Sequence, residues 1–304
     1  MRVFLIIQGE GRGHLSQAIS YCESRPEIEV CGVIVSDQGR ENPFNLNKIF
    51  DHVPVIKLKS LSLKYKNSKI NILGTILHNI IGFPLFINNL FMVDKWVRHL
   101  EPDLILNFYE PLSIGSIFTG INKHSISNQY LFNIKQWERP KDFFIDSMIK
   151  IWNNITSIGS NKIISPSFID IPNNSTIEII KPLIRKKVID LIPKKYNFTL
   201  VYLIDKDSVL EFIEYASSVK RSFILFTDQG ANIDFPNNIE YNILNDDLFL
   251  HKLECCDGVI CNGGFQLISE AIYLDKYVRV IPLHFEQLSN AYNLNVMGKG
   301  SLLK

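Results

Sequence analysis

Residues 258–291 carry glycines, carboxylates and amides in an order that suits a phosphorylated ligand. Gly263 and Gly264 follow a short apolar run, and Glu270 lies in the second turn of a helix predicted at residues 266–274. Paired glycines let a ligand come close to the backbone, because they have no Cβ atom. The N-terminus of the next helix offers N–H groups and a positive dipole end to an anion. This stretch therefore predicts a phosphate or diphosphate site.

More polar residues follow the next predicted strand, at residues 277–281. Glu286 and Gln287 supply a carboxylate and an amide that could hold sugar hydroxyls, with Asn290 in support. Glu270 could hold ribose hydroxyls in the same way. The predicted nucleotide-sugar site consists of Gly263, Gly264, Phe265, Gln266, Glu270, Glu286, Gln287 and Asn290. A strand–helix–strand unit whose glycines only make a tight turn is the alternative.

The start of the chain contains a second candidate site. Residues 3–7 predict a buried strand, residues 9–13 form a glycine-rich loop, and His14 precedes a helix predicted at residues 15–22. Because a helix N-terminus disfavours imidazolium, His14 is predicted to stay neutral and to act as a general base. The other predicted residues are Glu10 as the second candidate base and Gly11, Arg12 and Gly13 as a phosphate or acceptor loop. A histidine that only caps the helix is the alternative.

The same loop has a rival interpretation as a dinucleotide-binding turn. Gly9 and Gly11 begin the pattern G-x-G-x-x-G, and Asp37 follows the second predicted strand, near the place of a ribose-binding acid. His14 occupies the position of the third glycine. An NAD or FAD site therefore stays open as an alternative.

The ordered set from Gly263 to Asn290 resembles the donor-binding half of GT-B glycosyltransferases. The most similar group is that of the UDP-N-acetylglucosamine transferase of peptidoglycan lipid-precursor synthesis. The loop that ends at His14 is similar to the start of the same group, where the histidine is the usual candidate base. The resemblance implies an α/β fold of two Rossmann-like, doubly wound domains that face each other across a cleft.

The resemblance also implies where the domains lie. A Pro-x-x-Arg turn that ends at Arg185 closes the first domain in this group. We therefore expect an acceptor-binding domain at residues 1–185 and a nucleotide-sugar-binding domain at residues 186–304. Members of the group usually continue with another strand and helix after the position of Gly298, so the C-terminal part is expected to be truncated.

Polar residues also follow two predicted strands of the first domain. Glu110 follows residues 103–108, and Asn128 and Gln129 end the strand predicted at residues 125–129. In a doubly wound sheet the carboxyl ends of the strands face the ligand crevice. These three side chains are therefore predicted to lie on the acceptor side, with ordinary capping of strand ends as the alternative.

The segment from Lys57 to Val93 is unusual in charge and hydropathy. It begins with lysines at positions 57, 59, 64, 66 and 69, and residues 70–93 contain no charged side chain. The asparagines in this run and Pro84 argue against a transmembrane span, because each polar side chain would need a partner in hydrocarbon. One interpretation is a buried helical pair that breaks near Pro84. The other is a hydrophobic flap that contacts an anionic membrane or a lipid-linked acceptor.

Composition limits the remaining possibilities. A chain of 304 residues with 46% hydrophobic and 21% charged residues is typical of two globular domains. A net charge of +1 argues against a broad nucleic-acid interface. The five cysteines lack zinc-binding spacing, which favours buried thiols in a reducing cytoplasm. Asp205 and Asp207 form a D-x-D pattern, for which a helix cap is the alternative to metal binding.

The sequence thus predicts an inverting, metal-independent transferase with a UDP-sugar as co-substrate and no other cofactor. It would move a hexosyl or N-acetylhexosaminyl group to a hydroxyl of a glycan or lipid-linked acceptor. It would be cytoplasmic, with peripheral contact at the inner face of the membrane through residues 57–93. A nucleotide-sugar epimerase of the same fold and a catalytically silent binding protein are the alternatives.

Overall fold

The computed structural model describes residues 1–9, 13–37, 46–62, 65–66, 69–172, 175–230 and 233–303. The chain forms two compact units. Unit 1 consists of Met1–Gln136 and Asp142–Leu183, and unit 2 of Trp137–Lys141 and Ile184–Lys304. The sequence prediction placed the segment Trp137–Lys141, together with Ile184 and Arg185, in the first domain, whereas they belong to unit 2.

Unit 1 is built on a parallel sheet of apolar strands. Within the described residues seven strands form this sheet in the order β3-β2-β1-β6-β7-β8-β9. Such runs suit a parallel sheet, which is covered on both faces. The strands are β1 (Arg2–Ile7), β2 (Glu29–Asp37), β3 (Val55–Lys59), β6 (Leu104–Phe108), β7 (Lys123–Ile126), β8 (Lys162–Pro166) and β9 (Glu178–Ile180), and a separate hairpin is formed by β4 (Tyr65–Lys66) and β5 (Lys69–Ile70).

The helical segments of unit 1 cover the two faces of this sheet. One face packs against Leu15 and Ala18 of α1, and the other against Phe86, Val93 and Val97 of α3. The helices are α1 (Gly13–Glu23), α2 (Leu46–Ile49), α3 (Ile72–Leu100) and α4 (Phe143–Ser157), with 3₁₀ helices at Pro111–Thr119 and Asn128–Asn133.

Unit 2 repeats the same plan. Its described strands form a six-stranded parallel sheet in the order β12-β11-β10-β13-β14-β15, around a core that includes Val201, Phe212 and Leu225. The strands are β10 (Thr199–Tyr202), β11 (Phe223–Phe226), β12 (Ile239–Asn242), β13 (Gly258–Cys261), β14 (Tyr277–Val280) and β15 (Gly300–Leu302). The helices are α5 (Lys186–Ile189), α6 (Lys206–Ser218), α7 (Asp246–Cys255), α8 (Phe265–Tyr273) and α9 (Phe285–Val296).

Both strand orders reverse direction next to the first strand of the unit. The reversal lies between β1 and β6 in unit 1 and between β10 and β13 in unit 2. In open α/β sheets ligands bind outside the carboxyl ends of the strands at such a switch point. The sequence prediction of two doubly wound α/β units is therefore confirmed, and each unit has one switch point.

The prediction of a buried helical pair in residues 70–93 is wrong. A single helix, α3, runs through Pro84, and most of the apolar residues in its first half are exposed. Pro84 itself is exposed, so the carbonyl that lacks its N–H partner can bond to water instead. The thirteen residues from position 73 to 85 of α3 span about 20 Å along the helix axis.

One shorter prediction also differs from the structure. Glu110 precedes a 3₁₀ helix, in which Gly115 packs so closely on α3 that a Cβ would lie 2.3 Å from the Leu90 carbonyl oxygen. The strand expected at residues 125–129 ends at Ile126. Asn128 begins the next 3₁₀ helix, because the Ser127 hydroxyl caps it by accepting from the Gln129 N–H.

Candidate functional site

The glycine turn of unit 2 lies at the switch point, directly after β13. Gly263 is buried with φ +92°, and a Cβ on it would lie 2.6 Å from Val280 Cγ1. Gly264 is exposed, and a Cβ on it would have no atom within 4 Å. The first glycine is therefore required by conformation and packing, whereas the second leaves open space at the start of α8.

Two asparagines hold this turn in place. Asn262 accepts a hydrogen bond from the Ile204 N–H and donates to the Ser208 hydroxyl and the Ile281 carbonyl, each at 2.9 Å. Asn290 is fully buried and donates to the Gly263 carbonyl at 2.9 Å. These bonds connect the ends of two strands, the first turn of α6 and helix α9, so the glycine turn is part of a rigid frame.

Helix α8 directs its first turn and one carboxylate to the same region. Phe265 begins the helix and is buried, while Gln266 is half-buried and donates from Nε2 to Glu270 Oε1 at 2.8 Å. Gly264 at the N-cap has no side chain that could cap the helix. The backbone N–H groups and the positive dipole end of α8 therefore suit an anion at this position.

Glu270 is buried and is held by a bidentate ion pair. Arg185 donates from Nε to Oε1 at 2.7 Å and from Nη2 to Oε2 at 2.8 Å. With the bond from Gln266, three of the roughly four acceptor positions of the carboxylate are used. Glu270 can therefore accept about one further hydrogen bond from a ligand hydroxyl unless Arg185 moves.

Arg185 is a residue that sequence analysis used only to mark the domain boundary. Its Nη1 also bonds to Asp246 Oδ1 at 3.0 Å, in the first turn of α7. Burial disfavours its charge, but the bonds and charges of Glu270 and Asp246 outweigh this and raise the pKa of Arg185. In the sequence, Arg185 could have been identified only as an arginine that follows an apolar strand and a proline. Its partner Glu270 lies 85 residues away, so the ion pair itself has no local signal.

The first turns of α9 lie beside the glycine turn. Glu286 is half-buried, and Gln287 is buried with its Oε1 accepting from the Leu283 N–H at 2.8 Å. The backbone oxygen of Gln287 lies 3.1 Å from the position of a Cβ on Gly263. Gln287 and Asn290 are thus placed at the glycine turn, and Gln266 and Glu270 lie on the helix that begins there.

Helix α9 also binds the segment Trp137–Lys141, which sequence analysis missed. Glu138 accepts on its backbone oxygen from the Ser289 hydroxyl and from Asn293 Nδ2, and its N–H donates to Asn293 Oδ1 at 3.2 Å. Nothing in the local sequence signals this, because the partners lie 151 and 155 residues apart.

In unit 1, His14 lies in the first turn of α1, next to the switch point. Its ring stacks on Tyr109, which follows β6, with centroids 5.1 Å apart and an interplanar angle of 24°. Nδ1 is shielded, and within the described residues it has no hydrogen-bond partner. Burial lowers the pKa of His14 to about 4. The imidazole is therefore neutral at neutral pH, and Nε2 is the nitrogen left for proton transfer.

Tyr109 fixes this stack through an unusual backbone conformation. Its φ is +64°, in the left-handed region that non-glycine residues seldom adopt, and its hydroxyl bonds to Asn153 Oδ1 at 2.6 Å. Asn153 also donates to the Gln129 carbonyl at 2.8 Å. Strained residues of this kind cluster at functional sites.

The other predicted residues of unit 1 have structural partners. Glu110 is buried, accepts from the Ser60 hydroxyl and caps the 3₁₀ helix at the Leu112 N–H. Asn128 is buried and accepts from Gln17 Nε2 at 2.9 Å, and Gln129 is half-buried. Gly13 begins α1 with open space around its Cβ position. Glu10, Gly11 and Arg12 lie outside the described residues.

Asp205 acts as the N-cap of α6. Its carboxylate accepts from the Asp207 N–H at 2.9 Å and from the Ser208 N–H at 3.3 Å. This is the capping alternative to a metal-binding D-x-D pattern. Elsewhere in the described residues, His251, Glu254 and Cys255 of α7 could together hold a metal ion. Glu254 there also pairs with Lys194 at 3.3 Å.

A surface depression of about 540 Å³ lies on unit 2, between Asn197, Lys220 and Asn238. These residues precede β10, β11 and β12, so the depression is at the amino ends of the strands. Because the switch-point residues lie at the carboxyl ends, it does not belong to the glycine-turn site.

The two parallel sheets and their switch points define a GT-B fold. The glycosyltransferase of kitacinnamycin has 13% identity to this chain and a TM-score of 0.63, with 100% of this chain and 86% of that chain covered. MurG of Acinetobacter baumannii has 13% identity and a TM-score of 0.61, with 100% and 85% covered. UGT89C1 of Arabidopsis thaliana, complexed with UDP-L-rhamnose, has 16% identity and a TM-score of 0.61, with 99% and 84% covered.

The model of Glycosyl transferase family 1 matches residues 1–304. The chain therefore belongs to this family and is a glycosyltransferase. No curated protein matches its sequence. The likeness to MurG is of the same order as that to the other two structures, so it shows the shared fold. The narrower relation to the N-acetylglucosaminyl transferase stays a prediction.

Proposed function

We propose that this glycosyltransferase uses a UDP-sugar and transfers a hexosyl or N-acetylhexosaminyl group with inversion and without a metal ion. The observation that carries the proposal is the glycine turn of unit 2. Gly263 accepts no side chain, Gly264 opens the start of α8, and Glu270 lies within the same helix. A diphosphate at the helix start and a ribose near Glu270 would use both features.

The donor would be held mainly by unit 2. The N–H groups at Phe265 and Gln266 would bind the diphosphate, and Glu270 would accept one ribose hydroxyl. Glu286 and Gln287 would bind the hydroxyls of the sugar, while Asn290 would hold the turn through the Gly263 carbonyl. The complex of UGT89C1 with UDP-L-rhamnose supports a UDP-sugar in a protein of this fold.

The acceptor would be activated by unit 1. His14 Nε2 would take the proton of the acceptor hydroxyl as that oxygen attacks the anomeric carbon. The bond from the anomeric carbon to the UDP oxygen breaks in the same step, so one displacement inverts the configuration. The pKa of about 4 keeps His14 unprotonated, but it also makes His14 a weak base, since an efficient base has a pKa near the working pH. Glu10 is the second candidate base.

Fixed dipoles would stabilise the leaving UDP in place of a metal ion. The positive end of α8 is oriented before the reaction and needs no reorganisation as charge develops. The use of Asp205 as a helix cap supports this part of the proposal, because its oxygens already accept backbone hydrogen bonds.

The acceptor hydroxyl would belong to a lipid-linked or cell-envelope glycan. The protein would then be cytoplasmic, with peripheral contact at the inner face of the membrane through residues 57–93. The long apolar helix in that segment supports this part of the proposal.

The proposal is tested by incubating the protein with UDP-N-acetylglucosamine, UDP-glucose and UDP-galactose in the presence of EDTA. We expect release of UDP and, with an acceptor, a product whose anomeric configuration by NMR is opposite to that of the donor. Retention of configuration, or activity that requires an added divalent metal, would contradict it. Thermal-shift measurements with UDP, GDP and dTDP identify the nucleotide, since a ligand of the folded state raises the melting temperature.

A further inference from the structure

Three side chains at the end of α7 bring a nitrogen, an oxygen and a sulfur atom close together. They are His251, Glu254 and Cys255, and one ligand atom of each lies within 4.8 Å of the other two. Residues three and four positions apart lie on the same face of a helix, so the spacing H-x-x-E-C places all three side by side. We call these three residues the α7 cluster.

The separations in the α7 cluster suit a small tetrahedral ion. His251 Nδ1 lies 3.7 Å from Glu254 Oε2. In a tetrahedral zinc site with bonds of about 2.0–2.3 Å, neighbouring ligand atoms are about 3.3–3.8 Å apart. No separation in the cluster exceeds 4.8 Å, so a side-chain shift of about 1 Å would close it. The side chain of His251 is 64% exposed and has room to make this shift.

The types of ligand atom select the class of metal ion. Thiolate and imidazole bind Zn²⁺ and similar transition-metal ions, whereas Mg²⁺ and Ca²⁺ take oxygen ligands. The carboxylate of Glu254 and the thiolate of Cys255 would balance the two positive charges of the ion. The cluster also lies in the last turn of α7, where the helix dipole favours a cation. Three protein ligands leave the fourth tetrahedral position to water.

The two carboxylate oxygens of Glu254 have different neighbours. Lys194 Nζ lies 3.3 Å from Oε1, whereas Oε2 lies beside the His251 ring. The hydrogen bond and the charge of Glu254 raise the pKa of Lys194. An outer partner of this kind is typical of a metal-binding carboxylate, because it orients the ligand. Lys194 is partly exposed, so water screens its repulsion of the ion.

The backbone beneath the α7 cluster is held by hydrogen bonds. Lys276 Nζ donates to the carbonyls of Glu254 and Cys256 at 2.9 and 2.7 Å. The Tyr196 N–H donates to the Cys255 carbonyl at 2.8 Å. An ion would therefore require only side-chain adjustment, which lowers the ordering cost of binding.

The α7 cluster is separate from the glycine turn. Helix α7 ends at Cys255 and β13 begins at Gly258, so the cluster lies at the amino end of this strand. Gly263 follows the carboxyl end, and the four residues of β13 span about 13 Å. An ion in the α7 cluster would not contact a donor at the start of α8.

We propose that the α7 cluster binds a divalent transition-metal ion of the Zn²⁺ type through a His251 ring nitrogen, one Glu254 oxygen and Cys255 Sγ. The thiol proton passes to solvent as the sulfur–metal bond forms. The ion stabilises unit 2, because it binds the folded arrangement of the three ligands. The inference does not rest on the proposed function, and transfer without a metal ion stays compatible with it.

The test is titration of the metal-stripped full chain with Co²⁺, whose thiolate complexes show a charge-transfer absorption band. We expect the wild type to show this band with one equivalent bound, and Zn²⁺ to abolish it by displacement. Cys255→Ala should lose the band, and His251→Ala and Glu254→Gln should each bind at least about tenfold more weakly. The matched control is Cys256→Ala, since the Cys256 thiol bonds to the Leu253 carbonyl at 3.4 Å and should not contribute.

Three results would overturn the proposal: no cobalt–thiolate band in the wild type, an unchanged band in Cys255→Ala, or an equal loss in Cys256→Ala. Because His251 is exposed, His251→Ala should fold normally and tests the site even if a cysteine variant is unstable. Wild-type affinity in His251→Ala would also contradict the proposal. Zn²⁺ should raise the melting temperature of the wild type but not that of His251→Ala.

UDP calorimetry in EDTA separates this proposal from the proposed function. Normal UDP binding without the cobalt–thiolate band contradicts only the metal site. The band without UDP binding contradicts only the donor site.

Discussion

The two units share one topology but place different chemistry at the switch point. In unit 1 the first helix begins with a neutral histidine stacked on Tyr109. In unit 2 the strand on the other side of the switch point, β13, leads into a glycine turn, and Glu270 of the Arg185–Glu270 ion pair lies in the helix that begins there. A neutral imidazole is suited to take up a proton, whereas an open helix start is suited to hold an anion. Under the proposed function, one fold would thus separate proton transfer from donor binding.

The largest expected effect is that of a substitution of His14, the residue proposed to take up the proton. His14→Phe keeps a ring that can stack on Tyr109 but removes the nitrogen that accepts the proton. We expect turnover to fall by about 10²–10⁴-fold, while the Kd for UDP in calorimetry stays at the wild-type value. Full retained turnover would exclude His14 as the base, and weaker UDP binding would mean that unit 1 also holds the donor.

The stability of unit 2 should depend on both partners of the Arg185–Glu270 ion pair. Arg185→Met leaves the buried Glu270 carboxylate without its counter-charge, which costs about 3–5 kcal/mol in unfolding free energy. Arg185→Met/Glu270→Leu should recover much of this loss, because no buried charge remains. Urea unfolding measures both. Equal stability of the single variant and the wild type would show that the pair is not formed in solution.

A smaller effect is expected for a buried lysine that donates to backbone oxygens, which both units contain. Lys276 donates to the backbone oxygens of Lys194, Glu254 and Cys256, and Lys123 donates to those of Ser113 and Ile158. Burial lowers the pKa of Lys123 to about 8, so it stays charged at neutral pH.

Lys276→Met and Lys123→Met should each lower the unfolding free energy by about 1–3 kcal/mol, since buried carbonyls lose their donor. UDP binding should be unchanged in both, because these lysines lie at the amino ends of β7 and β14, whereas the ligand is expected at the carboxyl ends of the strands. If urea unfolding shows a lower unfolding free energy for only one of the two variants, the two lysines do not have the same role in the two units.

The last expected effect is the pH dependence of stability that His14 contributes. Its folded pKa of about 4 lies below the value of 6.5 in the unfolded chain. Between these values the unfolded state binds more protons, so the unfolding free energy rises with pH across this window. The slope should become shallower in His14→Phe. An unchanged slope would mean that the imidazole is solvated in the folded protein.

The strands and turns next to both sites could be predicted from the sequence. The strand that ends before Asn262, the glycine turn and the helix after it are visible because apolar runs and paired glycines are local signals. The same holds for the strand that leads to His14. In both cases the site begins where a buried strand meets a helix.

Contacts between distant residues could not be predicted in this way. The pairing of Arg185 with Glu270 and the stacking of His14 on Tyr109 depend on strand order, which one sequence does not reveal. The outer side of α3 was also misjudged. An apolar run without charges is typical of a buried helix, and only the packing of α3 on one face of the sheet shows that its other side is exposed.

The most direct test of the central claim is UDP calorimetry on two variants of Gly264. A Cβ at this position meets no atom within 4 Å, and its φ of −63° suits any residue, so both variants should fold normally. Gly264→Ala should weaken UDP binding slightly, and Gly264→Leu by roughly 100-fold, or about 3 kcal/mol, because its side chain fills the space at the start of α8. Wild-type affinity in folded Gly264→Leu would contradict the claim that this helix start binds the donor diphosphate.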